Sequence, residues 1–441
     1  MRKTALALAL LALAIIVLSI APSMSSKETV GPYSTWDADI INVDAVHQLG
    51  YTGKGVYVAV LDTGLVPYWK EYFPEERIAT NLGKGFKEDV LWDQLRQRFI
   101  ESGIVHETTF VGDTGSTHGT HVTSTIIGYN YYSPQDALSG FPLPPIYVQG
   151  IAPDVTIIPV RVLTDYHFGR AHLSDDFPDM HMVFGTDRAV AAGIIYATDL
   201  KLAGYSPMII TMSLGGPTPS TVMEDAVNYA VSNGVIVVAA AGNEGDAGMG
   251  WPGAYPQVIS VGASGWKYEW YWNNHVAPPP RYRLWWLQSP YYAYNDIPEP
   301  TPVSEVYITD FSSREKPGQD LDVVAPGSWV RGPFPGVPGY THLPWFSEGL
   351  PPHAGDFFYV GGTSMATPHV TGVIALMLEK NPNLVQSTVE TILENTALAI
   401  PPGSMVIWDL VPTQGFYTRT WGADATGSGL VQADQAIGAT P

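Results

Sequence analysis

Five short apolar runs rich in β-branched residues punctuate this chain: Val56–Leu61, Thr156–Val162, Met208–Leu214, Val235–Ala241 and Val258–Val261. None of them alternates apolar with polar residues, so each has to be buried on both faces. Stretches with helical spacing lie between and after them, at Thr186–Leu202, Ser220–Val231, Ser364–Leu378 and Leu384–Leu398. Buried strands separated by helices predict an α/β fold: a doubly wound, mostly parallel sheet with helices on both faces. On such sheets ligands sit at the carboxyl ends of the strands, so chemistry is to be sought where these runs stop. A length of 441 residues, with 45% hydrophobic and 15% charged, supplies the core of one large domain and excludes a disordered chain.

The rhythm breaks near 84–109, 129–149, 165–184, 265–309 and 328–359, which read as loop insertions in a domain over 35–441. The segment 265–309 is crowded with Trp266, Trp270, Trp272, Trp285 and Trp286. It reads as a satellite cluster packing a long loop onto the domain, in preference to a platform of exposed rings for carbohydrate. Arg2 and Lys3 precede the apolar run Ala5–Val17 and a small-residue exit, the pattern of a secretory signal over 1–25. The competing expectation is an uncleaved anchor at the outer face of the cell membrane through 4–21. Residues 26–34 form a short segment with no recognisable prodomain.

Acids outnumber bases 42 to 22, a net charge of −20, which repels phosphate backbones and excludes nucleic acid as an expected partner. With no cysteine, disulfides, thiolate nucleophiles and Cys-ligated metals are ruled out. No feature calls for an oligomer, so a monomer is the expectation.

Three Gly-flanked segments carry chemistry. Val60-Leu61-Asp62-Thr63-Gly64 ends an apolar strand in a carboxylate. His118-Gly119-Thr120-His121-Val122 opens a helix. Gly362-Thr363-Ser364-Met365-Ala366-Thr367-Pro368-His369 starts another, with Pro368 expected in its tolerant first turn. Singly, an Asp at a strand end caps or turns, and a serine at a helix start is an N-cap. Jointly they supply what amide hydrolysis needs: a nucleophile, a base near pH 7, and a carboxylate that orients the base. Strand Val235–Ala241 ends in Gly242-Asn243-Glu244-Gly245, which places a side-chain N–H donor where an oxyanion would need one.

In this order, Asp, His, Ser, the three segments resemble the signatures of the subtilisin-like serine peptidases, the subtilases. The resemblance runs from about Thr35 to Ala436 and includes Gly427-Ser428-Gly429-Leu430-Val431-Gln432-Ala433. It implies Ser364 as nucleophile, His118 as general base, Asp62 as orienting acid and Asn243 in the oxyanion hole. It implies further that Ser213, Leu214, Gly215 and Gly216 line the substrate cleft and that Glu244 stands at the rim of a specificity pocket. Polypeptides are the implied substrates, cleaved by a secreted serine endopeptidase that needs no cofactor for its chemistry. The rival reading is a catalytically inactive, subtilisin-shaped binding module.

The family implies structural calcium, but no ligand set can be assembled from the sequence; Asp136 is the only acid in 129–149. His118 and His121, three apart, have a spacing that can ligate zinc, yet no third ligand follows, so His121 and His369 read as structural.

Overall fold

The computed structural model describes residues 30–93, 98–112, 116–131, 146–168, 180–269, 271–272, 275–276, 297–335, 345–347, 357–409 and 415–441. The segment 1–25, read as a secretory leader, lies outside them. Most of 270–296, which holds four of the five tryptophans of the aromatic segment, does so as well.

In chain order the first half contains β1 (Val30–Tyr33), α1 (Trp36–Asp39), α2 (Val43–Gln48), β2 (Tyr57–Asp62), β3 (Lys84–Asp93), β4 (Arg98–Thr108), α3 (Thr117–Ile127), β5 (Gly128–Tyr131), β6 (Ile146–Gln149), β7 (Thr156–Arg161), β8 (Thr164–Phe168) and β9 (Met180–Phe184). There follow α4 (Asp187–Leu202), β10 (Met208–Met212), α5 (Thr221–Ser232), β11 (Ile236–Ala240), β12 (Ile259–Trp266), β13 (Tyr271–Trp272), β14 (His275–Val276), β15 (Val306–Ile308), β16 (Val323–Pro326), β17 (Val330–Pro333), β18 (Trp345–Ser347) and β19 (Phe357–Val360). The chain ends in α6 (Thr363–Lys380), α7 (Gln386–Thr396), the hairpin β20 (Gly403–Asp409) and β21 (Gly415–Trp421), and α8 (Ala433–Ala439).

Nine strands form the central sheet, in the order β15-β12-β11-β10-β2-β7-β3-β4, with β16 also paired to β12. All neighbours are parallel except the β12–β15 and β3–β4 pairs. The doubly wound α/β architecture is therefore present. Alternation along each strand explains the uninterrupted apolar runs. Val58 and Val60 of β2, with Ile209 of β10 and Val238 of β11, pack against α3 and α6. Ala59, Leu61, Ile210 and Val237 point the other way, onto α4 and α5.

The same period of two sets up the site. Asp62 follows Val58 and Val60 on the α3/α6 face, and Ser213 follows Ile209 and Thr211 on that face. From β2 the chain crosses to β7 on one side; it then returns to β10 on the other side of β2 and winds onward from there. The carboxyl ends of β2 and β10 thus flank the topological switch point, where open α/β sheets form their crevice.

Segment 84–109, expected as loop, is instead a hairpin: β3 joins the sheet beside β7, and β4 forms its outer edge. Charged and polar residues interrupt the apolar ones along both strands, so no continuous apolar run marks them. The N-terminal Val30–Tyr33 pairs with β6.

Candidate active site

Asp62 ends β2 with its side chain 1% exposed. Its Oδ1 and Oδ2 lie 2.8 and 3.0 Å from His118 Nδ1, and Oδ1 also accepts the Thr63 N–H at 2.6 Å. His118 is the second residue of α3. That helix reaches the carboxylate because its next residue is Gly119, where a Cβ would sit 2.5 Å from the Gly64 carbonyl oxygen and 3.1 Å from Asp62 Oδ1. Burial lowers the His118 pKa, but the charge of Asp62 and its hydrogen bond outweigh this and leave it raised. A carboxylate on Nδ1 fixes the tautomer with Nδ1–H and leaves the Nε2 lone pair free to take a proton.

Ser364 is the second residue of α6. Its N–H has no acceptor within the helix, which begins only at Thr363. The cap comes from a distant element: Asn243 Oδ1 accepts the Thr363 N–H at 2.8 Å and the Thr363 hydroxyl at 3.0 Å. These two bonds orient the amide, because only its oxygen can accept both. The amide nitrogen is then left beside the Ser364 N–H. A Cβ placed on Gly362 would lie 3.7 Å from Ser364 N and 3.8 Å from Asn243 Nδ2. Two N–H donors therefore flank one small space at a helix N-terminus, an arrangement suited to holding negative charge on an oxygen.

The Ser364 hydroxyl is turned toward the end of β10, donating to the Ser213 carbonyl at 3.2 Å. Ser213 in turn donates its hydroxyl to the Ser364 carbonyl at 2.8 Å. One expectation needs correcting here. The helix starts one residue before Ser364 and Pro368 is its sixth residue, beyond the first turn in which proline removes no bond.

Of the expected cleft residues, Ser213 is buried, Leu214 half-buried and Gly215 exposed. Gly216 is already paired: its N–H and C=O bond the carbonyl and N–H of Trp251 at 2.8 and 2.9 Å. An extended chain added at this edge has Leu214 and Gly215 to meet; neither has a backbone partner among the described residues. Glu244 is exposed at the surface beside Asn243, and its carboxylate accepts the Ser313 hydroxyl at 3.1 Å.

His121 and His369, from the same segments, are held in packing contacts. His121 Nε2 donates to the Val330 carbonyl at 3.1 Å, and burial lowers its pKa to about 3, so it stays neutral. His369, fully buried, bonds Met365 O at 2.8 Å and Asp37 Oδ2 at 3.0 Å. Among the described residues one acidic group, Asp322, Glu390 and Glu394, brings three carboxylates within 4.8 Å of one another. It does not make the six to eight oxygens of a calcium site: Asp322 Oδ2 is engaged by the Ser260 N–H and hydroxyl, both at 2.7 Å. Residues 132–145 of the insertion after α3 lie outside the described residues. The sequence offered no signal for Thr363 as the residue that orients Asn243, since a helix-start threonine reads as a local cap.

Comparison with known proteins finds similar sequences and similar folds. The profile described as the Subtilase family matches residues 53–429. Subtilisin E of Bacillus subtilis (strain 168) is 30% identical over 361 residues, covering 81% of this chain and 64% of that protein. Subtilisin of Bacillus pumilus is likewise 30% identical over 361 residues, 81% of this chain and 89% of that one. The match thus spans less than two thirds of the length of Subtilisin E. Among solved structures, fervidolysin from Fervidobacterium pennivorans, a keratinolytic enzyme related to subtilisin, superposes with a TM-score of 0.54 at 26% identity over 92% of this chain and 46% of that one. Sphericase, at 23% identity and a TM-score of 0.51 over 92% and 94% of the two chains, shares the fold.

Proposed function

The chain belongs to the subtilase family, and on that premise we propose that it is a serine endopeptidase acting on polypeptides, with Ser364 as nucleophile. The observation that carries the reading is the buried Asp62 carboxylate on His118 Nδ1 at 2.8 and 3.0 Å. A buried carboxylate held on a half-buried histidine in a cleft is costly to assemble for structure alone, and it prepares Nε2 as a base.

In the proposed reaction the Ser364 hydroxyl rotates from the Ser213 carbonyl toward His118 Nε2. Its oxygen attacks the scissile carbonyl carbon while its proton passes to Nε2. The carbonyl oxygen takes up the displaced electron pair and is received by Asn243 Nδ2–H and Ser364 N–H. Collapse breaks the C–N bond, and the departing amine takes the proton from His118. Water then repeats the sequence on the Ser364 ester and frees the acid. Asp62 stays ionised throughout and stabilises the transient imidazolium.

The test is labelling with a fluorophosphonate, in the intact protein and in Ser364→Ala. Labelling lost only in the variant is the expected result; a folded, unlabelled parent protein would sink the proposal. Secretion through the leader at 1–25 belongs to the same reading. N-terminal sequencing of protein recovered from medium and from membranes checks it, with retention of 4–21 in the membrane fraction as the opposing outcome.

A further inference from the structure

We propose that Ser213 is a positioning residue for the nucleophile: its hydroxyl replaces a backbone N–H that Pro368 removes from α6, and so fixes the main chain of Ser364. The proposal rests on Ser364 being the nucleophile, and it assigns Ser213 a task other than lining the substrate strand.

In an α-helix the N–H of residue i donates to the carbonyl of residue i−4. Pro368 has no N–H, and the carbonyl it leaves without a donor is that of Ser364. As sixth residue of α6, it lies where that bond is otherwise made. An orphaned carbonyl in the wall of a cleft is expensive unless another donor reaches it. Ser213 supplies the donor at 2.8 Å.

Three features separate this role from substrate contact. Ser213 is only 3% exposed, so its hydroxyl is turned inward rather than offered to a bound chain. It lies on the face of the sheet that meets α6, where Thr211 two residues earlier accepts the Thr371 hydroxyl at 2.8 Å. The pairing is also reciprocal, since the Ser364 hydroxyl rests on the Ser213 carbonyl at 3.2 Å. With an N–H at 368 the Ser364 carbonyl would be held by its own helix. Without it, that carbonyl is tied to the end of β10, the strand that carries the cleft. The nucleophile, its oxyanion-binding N–H and the cleft edge are thereby held in one frame.

A rescue experiment in the full chain tests this. Ser213→Ala, Ser213→Thr, Pro368→Ala and the double variant Ser213→Ala/Pro368→Ala are compared for kcat and KM on a peptide ester and for their rate of fluorophosphonate labelling. Loss of the hydroxyl is expected to lower kcat by about 10- to 100-fold with KM within about twofold. Ser213→Thr, which keeps a hydroxyl, retains most of kcat. In the double variant the N–H of residue 368 meets the Ser364 carbonyl, and kcat returns to within about threefold of that of Pro368→Ala. Should Ser213→Ala alone not fold, the Pro368→Ala background serves: there Ser213→Ala is expected to cost less than about threefold, and a tenfold loss overturns the proposal. An effect of Ser213→Ala on KM alone, or a double variant no better than the single, overturns it too. A parent protein that is folded but unlabelled would overturn Ser364 as nucleophile instead, so the two failures are distinct.

Discussion

Replacing Asp62 by asparagine separates the two things its carboxylate does. The side chain keeps its shape, and the Thr63 N–H at 2.6 Å holds the acceptor oxygen in the Oδ1 position. The new amide nitrogen then occupies the Oδ2 position, 3.0 Å from His118 Nδ1. Two N–H groups face each other there unless the ring changes tautomer, with the proton moving to Nε2. In that tautomer His118 has no lone pair for the Ser364 proton, and kcat is expected to fall by about 10⁴-fold. The second effect is on pH. In the parent the His118 pKa is raised, Asp62 outweighing burial, so activity at the acid end is lost at a pH above the ordinary histidine value. With the carboxylate gone, burial acts unopposed and the pKa falls below about 6.5. The residual activity of Asp62→Asn is therefore expected to persist to lower pH than that of the parent. The assay is kcat/KM on a peptide ester between about pH 4 and 9. An unmoved acid limb would show that Asp62 does not set the His118 protonation, and the assigned roles would fall together.

Asn243→Ala removes one of two donors aimed at the same space, and kcat is expected to drop by about 10²- to 10³-fold at nearly constant KM, a magnitude taken over from a subtilisin's own oxyanion asparagine; a change in KM alone would count against that role. Gly362→Ala places a methyl group 3.7 and 3.8 Å from Ser364 N and Asn243 Nδ2, an ordinary contact for the fold but one inside the proposed oxyanion space. Thermal unfolding should move by no more than about 0.5 kcal/mol while kcat falls at least about 100-fold; equal activity would show that the oxygen does not bind there. Glu269, whose Oε2 has no partner among the described residues, is pushed up to about 8 by burial, so the folded chain holds a proton that the unfolded chain has lost above about pH 4.5. Its contribution to stability therefore falls by about 1.4 kcal/mol per pH unit from there to about pH 8. Glu269→Gln should lack that slope, so unfolding curves for parent and variant diverge as pH rises; parallel curves would refute the buried neutral acid.

What was legible in the sequence is what a single strand or helix decides for itself. The apolar runs gave β2, β7, β10 and β11 to within two residues, because a strand buried on both faces has no polar positions to disguise it; for β12 (Ile259–Trp266) the run marked only the start. Asp62, His118 and Asn243 were legible for a related reason: each stands where an apolar run ends or a helix begins, and in this topology those ends converge. The edge hairpin β3–β4 escaped notice because charged and polar residues break up its apolar ones, leaving no continuous apolar run of the kind an inner strand shows. The hairpin β20–β21 escaped too, although Trp329 Nε1 donates to its Asp409 at 2.9 Å and so ties it to the loop before β17. Groups that act across the fold were not readable from either partner alone. Asn243 caps a helix 120 residues away, which shifts the start of α6 from Ser364 to Thr363. Pro368, the sixth residue of α6, leaves the Ser364 carbonyl in need of Ser213, 151 residues earlier. The frame of Ser364 thus rests on three residues that each look like ordinary turn or cap formers in the sequence. Their chemistry exists only where the ends of β10 and β11 meet the start of α6.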